Sequence, residues 1–110
     1  MKVTAATRSR ARHYAMQSLY QWQMTGNALH LIEAEYHADN DMSKVDTEYF
    51  HQLFHGAVEH REALDEAFTP YVKNISLDKL DPMTLALLRI ASYEFKERVD
   101  VPYRVVINES

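Results

Sequence analysis

The apolar residues of this chain recur at helical spacing along most of its length, and few residues could turn the backbone sharply. Between Arg8 and Met24, the residues Ala11, Ala15, Leu19 and Trp22 stand at i, i+4, i+8 and i+11, drawing one stripe along a helix. Two glycines and three prolines in 110 residues leave too few tight turns for an all-β protein. With 46% apolar residues the chain can fill a core, and its length suits one domain. The expected fold class is all-α: a compact bundle of about five to seven helices forming a single domain over 1–110.

The stripe and its punctuation predict the elements. Gly26 is a C-terminal cap for the first helix. A second helix runs from about Ala28 to Ala38 with Leu29, Ile32 and Tyr36 on one side. The polar stretch DNDMSK (39–44) connects it to a third, capped by Asp46. There Tyr49 or Phe50, Leu53, Phe54, Ala57 and Val58 point inward. The helical phase continues through Ala63, Leu64, Ala67 and Phe68 until Pro70 ends or kinks it, so 47–72 is one bent helix or two. Ser76 and Asp81 can both cap, and Asp81-Pro82 is the stronger start signal. The helix it opens, Met83 to about Arg98, is apolar on most faces, as in a helix buried at the centre of a bundle. Pro102 opens a last segment, PYRVVINES, whose Val105, Val106 and Ile107 must pack on something, because so short a helix is marginal in water.

Charge is placed unevenly. Residues 1–32 hold Lys2, Arg8, Arg10 and Arg12 and no acidic residue, whereas 33–110 hold eight basic and sixteen acidic side chains. Cations at a helix N-terminus face the positive end of the macrodipole and cost roughly a few tenths of a kcal/mol each. Their placement suggests a polyanion-facing end on an acidic body. Arg8 and Arg12 lie at the edge of the apolar stripe, while Arg10 points elsewhere. Tyr20 is an aromatic beside the arginines that could stack on a base or simply pack.

Catalytic patterns are missing. No serine has a GxSxG context, two isolated glycines cannot build a phosphate loop, and the paired carboxylates have ordinary surface spacing. His51, His55 and Glu59 share a helical stripe with His60 adjacent, but Gln52 stands where an HExxH metalloprotease has its glutamate. The expectation is a solvated histidine pair, with no metal, no cofactor and no catalytic residue. Absence of cysteine excludes disulfides and suits the cytoplasm. No apolar run reaches the roughly 18 residues of a membrane span, and no secretory signal is expected.

Three stretches taken together resemble one family: RSRARHYAMQSLYQWQ near the start, VDTEYFHQLFHGAVEHREALD in the middle, and LLRIASYEFKERVDVPYRVVINES at the end. The chain resembles the NusB family of transcription antitermination factors over essentially its whole length. The resemblance implies an all-helical protein that is not an enzyme. It implies binding to single-stranded boxA RNA of ribosomal RNA leaders together with NusE, a small-subunit ribosomal protein, and entry into the antitermination complex on RNA polymerase. Carried over by position, Arg8, Arg10 and Arg12 match the family's RNA-contacting helix and Tyr20 the tyrosine of its LY pair. Lys2 and Gln17 join them as expected RNA contacts. Ser9 stands where an arginine can occur, which predicts a salt dependence flatter by about one unit of log slope. Asp78 and Asp81 are the expected face for NusE, set against a plain role as helix caps.

Family members usually continue past INE with the rest of that helix and one more. The chain is therefore expected to be C-terminally shortened, with apolar surface that favours self-association. Two other readings stand beside this one: the NusB-like domain of an RNA cytosine methyltransferase, and a helical protein-interaction module without RNA binding.

Overall fold

The computed structural model describes residues 3–72 and 79–97. Five α-helices are seen among them: α1 (Ala5–Thr25), α2 (Leu29–Asp39), α3 (Thr47–Glu59), α4 (Arg61–Phe68) and α5 (Pro82–Glu97), with a 3-10 turn at Thr69–Tyr71 after α4. No strand occurs among the described residues. The all-α expectation holds. No helix there is long and apolar enough to cross a membrane. Lys2, Ser76, Asp78 and the segment from Pro102 onward lie outside the described residues.

Helix α1 is the hub, packed against α2, α3 and α5. Its start is fixed locally. The Thr4 hydroxyl accepts from Thr7 N–H at 3.1 Å and Thr4 N–H donates to the Thr7 hydroxyl at 2.9 Å, a reciprocal cap. Its end is Gly26, whose φ of 68° lies in the left-handed region and whose N–H closes on the Trp22 carbonyl at 2.8 Å. Ala11, Ala15 and Leu19 are completely buried, as the stripe predicts. The two alanines are small enough for other helices to come close on that side. Burying Leu19 contributes about 1.5–3 kcal/mol.

Opposite α1, α3 supplies Tyr49, Phe50, Leu53, Phe54, Ala57 and Val58, all buried. Asp46 caps α3 as expected, its carboxylate accepting from Tyr49 N–H at 3.1 Å. Tyr14, Tyr36 and Phe50 meet with centroids 5.9–6.3 Å apart and join α1, α2 and α3. Gly56 is where α3 and α5 approach closely, since a Cβ there would overlap the Tyr93 ring.

The stretch 47–72 is two helices. The break falls at His60 (φ −103°, ψ 15°), which ends α3 and precedes α4. Pro70 sits further on, in the 3-10 turn. The apolar phase survives the break in Leu64 and Phe68, which are buried, but Ala63 is exposed.

Helix α5 departs from its apolar reading. Ala86, Ile90 and Glu94 form its buried row, whereas Leu87 and Phe95 are 40% and 51% exposed. A helix facing its neighbours along one i, i+4, i+8 row must present the rest of its surface elsewhere. One member of that inward row is a carboxylate.

Candidate nucleic-acid interface

Helix α1 sorts its three arginines onto two sides, because residues two apart differ by about 200° around a helix. Arg12 turns inward. Its Nε donates to both Glu94 carboxylate oxygens, at 2.8 and 2.7 Å, and its side chain is only 13% exposed. Glu94 is 2% exposed and also accepts from the Tyr49 hydroxyl. Both Arg8 and Arg12 lie over the Tyr49 ring, 4.8 and 5.7 Å from its centroid. Arg8 Nε is 3.9 Å from the Asp46 carboxylate that caps α3. Arg12, Glu94 and Tyr49 thus tie α1, α5 and α3 in one network, and both donors satisfy a carboxylate that would otherwise be costly to bury.

Arg10 lies on the other side and is exposed. Its Nη1 donates to the Lys44 carbonyl at 3.2 Å, bringing it to the connector after α2. A cleft of about 480 Å³ opens here, lined by Ser9, Arg10, His13, Asp41 and Lys44 among others. Asp41 accepts from Ser43 N–H at 3.0 Å, and this bond holds its carboxyl below the usual carboxylate range.

From Arg10 a row runs along α1. Arg10, His13, Gln17 and Tyr20 stand at i, i+3, i+7 and i+10, within an arc of about 80° and over about 15 Å. Gln17 Nε2 lies 2.8 Å from His13 Nε2, so these two support one another. Tyr20 is half-buried beside a second recess of about 480 Å³ that includes Gln17, Gln21, Met24 and Tyr36. The expected residues Arg10, Gln17 and Tyr20 are therefore brought together, while Arg8 and Arg12 stand apart from them. His13 and Lys44 were not among the expected contacts. Spacing from Arg10 could have found His13, and the single cation in the DNDMSK connector was the only sign of Lys44.

The acidic face is less developed. Asp81 is exposed, and it serves α5: its carbonyl accepts from Leu85 N–H at 2.9 Å and its carboxylate lies 3.4 Å from the Thr84 hydroxyl. A tie the sequence did not signal lies nearby. Arg89 of α5 grips Asp65 of α4 through Nε and Nη2 at 2.8 and 2.7 Å and donates to Gln23 of α1 at 3.0 Å.

The family model that matches this chain is the NusB family, and it covers residues 9–110. The chain belongs to the NusB family. Its relatives in that family are similar over nearly all of it. It is 71% identical over 110 residues to the transcription antitermination protein NusB of Teredinibacter turnerae, matching the whole of this chain and 75% of that protein. It is 64% identical to the protein of that name from Saccharophagus degradans, over the whole chain and 73% of the relative. The protein of that name from Pseudomonas savastanoi is 47% identical over 108 residues, 98% of this chain and 65% of the relative. NusB relatives are named for a role in transcription rather than for a catalysed reaction.

Proposed function

We propose that this chain is a transcription antitermination factor that binds single-stranded boxA RNA of ribosomal RNA leaders with NusE and joins the antitermination complex on RNA polymerase in the cytoplasm. The observation that carries this reading is the row Arg10–His13–Gln17–Tyr20 along α1, exposed at its Arg10 end and half-buried at Tyr20, with Lys44 beside Arg10. Cations at one end and an aromatic with amide neighbours at the other are what a single strand asks of a protein: charge for phosphates and a flat face with polar edges for bases.

In this reading Arg10 and Lys44 take phosphates, and Gln17 and Tyr20 take bases. Arg8 and Arg12 contribute through the fold, since the Arg12 guanidinium already serves Glu94. Lys2 remains a proposed additional phosphate contact. The acid-rich remainder of the chain suits a basic ribosomal protein such as NusE and would speed their encounter. Asp78 and Asp81 remain the proposed contact face, Asp81 alongside its capping role.

The test is fluorescence anisotropy of a labelled boxA RNA titrated with this chain, with and without NusE. Binding that is stronger than to a scrambled RNA and strengthened by NusE is expected. Equal affinity for both RNAs, with NusE present and the chain folded, would overturn the reading.

A further inference from the structure

Two histidines of α3 and a glutamate of α2 converge on a point outside the RNA row. His51 and His55, one turn apart, stack with ring centroids 4.0 Å apart. Both turn a nitrogen toward Glu33. His51 Nδ1 lies 2.9 and 3.0 Å from its two carboxylate oxygens, and His55 Nε2 lies 3.0 Å from the first of them. One ligand atom from each of the three falls within 4.8 Å of the others. Glu59, the acid that shares their helical stripe, is exposed and takes no part in this group.

We infer that Glu33, His51 and His55 form a binding site for one divalent transition-metal ion, of the zinc or nickel class. Two imidazole nitrogens and one carboxylate oxygen make a ligand set for such ions, whereas magnesium and calcium prefer all-oxygen surroundings. Metal–ligand bonds of about 2.0–2.1 Å in tetrahedral geometry place ligand atoms roughly 3.3 Å apart. The nitrogen-to-carboxylate separations of 2.9–3.0 Å need to open by only a few tenths of an ångström, and the two ring nitrogens, within 4.8 Å of one another, to take up a similar spacing, which side-chain rotations provide. The site is reachable: the side chains of His51, His55 and Glu33 are 54%, 30% and 20% exposed. On binding, each ring presents its lone pair at the nitrogen now facing Glu33 and carries its proton on the other nitrogen; with three protein ligands, a tetrahedral ion keeps a fourth position for water.

The ion would join two helices that are otherwise unequally anchored. Helix α2 has one fully buried side chain, Ile32, and no side-chain cap at its start, whereas α3 is a core helix. A metal across Glu33 and the histidines therefore clips α2 onto α3, and stability rises with the logarithm of free metal once the site is filled.

The test uses the untagged chain. Zinc is titrated by calorimetry while the histidine ring signals are followed by NMR. One ion per chain is expected, with the signals of His51 and His55 moving together and excess magnesium leaving the titration unchanged. His51→Ala and Glu33→Gln should each weaken binding by at least about tenfold, and zinc should raise the melting temperature of the parent but not of His51→Ala. His30→Ala, an exposed position outside the group, serves as control. Ring signals of His51 and His55 that stay still while zinc binds, or a zinc affinity unchanged in His51→Ala, would overturn the assignment. The NMR readout on the parent decides the matter even if a variant fails to fold.

Discussion

Replacing Arg12 by alanine should unfold this protein more than it disarms it. The substitution removes the Nε that bonds both oxygens of Glu94 and leaves a carboxylate 2% exposed with the Tyr49 hydroxyl as its described partner. Removing one member of a buried ion pair costs about 3–5 kcal/mol. Domains of this size have total stabilities of about 5–15 kcal/mol, and one kcal/mol moves the melting temperature by about 4–8 °C. Arg12→Ala should therefore melt more than ten degrees below the parent, at about 4 °C or more per kcal/mol. Arg10→Ala, at an exposed site, should stay within about 0.5 kcal/mol of the parent. Thermal unfolding followed by far-ultraviolet circular dichroism reads both. Pairing Arg12→Met with Glu94→Met should restore only part of the loss, because the apolar pair no longer strands a charge but takes an acceptor from the buried Tyr49 hydroxyl. An Arg12→Ala protein melting within about one degree of the parent, where a loss above ten degrees is expected, would show that the Arg12–Glu94 pair does not hold the bundle together.

Three further outcomes are expected. Gly26→Ala, at φ 68° with open space around a Cβ, should lower stability by about 1–2 kcal/mol, seen as a lower urea midpoint with an unchanged slope, and Gly26→Asn should cost less. Gly56→Ala should destabilise by about 1–3 kcal/mol through overlap with the Tyr93 ring, and in a Tyr93→Leu background the same change should become stabilising by up to about 1 kcal/mol, the helix-propensity gain, as read by urea unfolding. Asp41 should titrate below its ordinary 3.8 by NMR. Because its folded-state pKa is depressed, its contribution to stability is present above 3.8 and is lost as pH falls through the folded value; Asp41→Asn should remove that acid-limb dependence.

Features written in neighbouring residues are legible in the sequence itself. The α1 stripe, the Gly26 stop, the Asp46 cap and the inward residues of α3 all follow from spacing and capping chemistry over a few positions. The split among the arginines is half visible there: periodicity separates Arg10 from Arg8 and Arg12. It cannot show that Arg12 meets Glu94, a partner 82 residues away. A carboxylate within an apolar stretch reads as a surface residue until its donors are known. The histidine pair follows the same pattern. Its i, i+4 spacing is readable, but its acid comes from another helix, as Glu33, and not from Glu59 on the same stripe. The break at His60 is hidden because the apolar phase runs through it, whereas Pro70 marks the end of the α-helical stretch, α4 stopping at Phe68 before the 3-10 turn that holds the proline. The exposed Leu87 shows the converse limit, since composition says a helix is apolar but not which side is buried.

On the function proposed above, α1 divides its labour, with Arg10 heading the RNA row and Arg12 holding the bundle. The most direct measurement is the affinity of labelled boxA RNA for the parent and for Arg10→Ala, with NusE present, across a salt series. Arg10→Ala should remain folded, bind several-fold more weakly, and lose about 0.7 from the slope of log affinity against log salt, the value of one phosphate on a single strand. A folded Arg10→Ala that binds with the parent's affinity and slope would mean that Arg10 takes no phosphate.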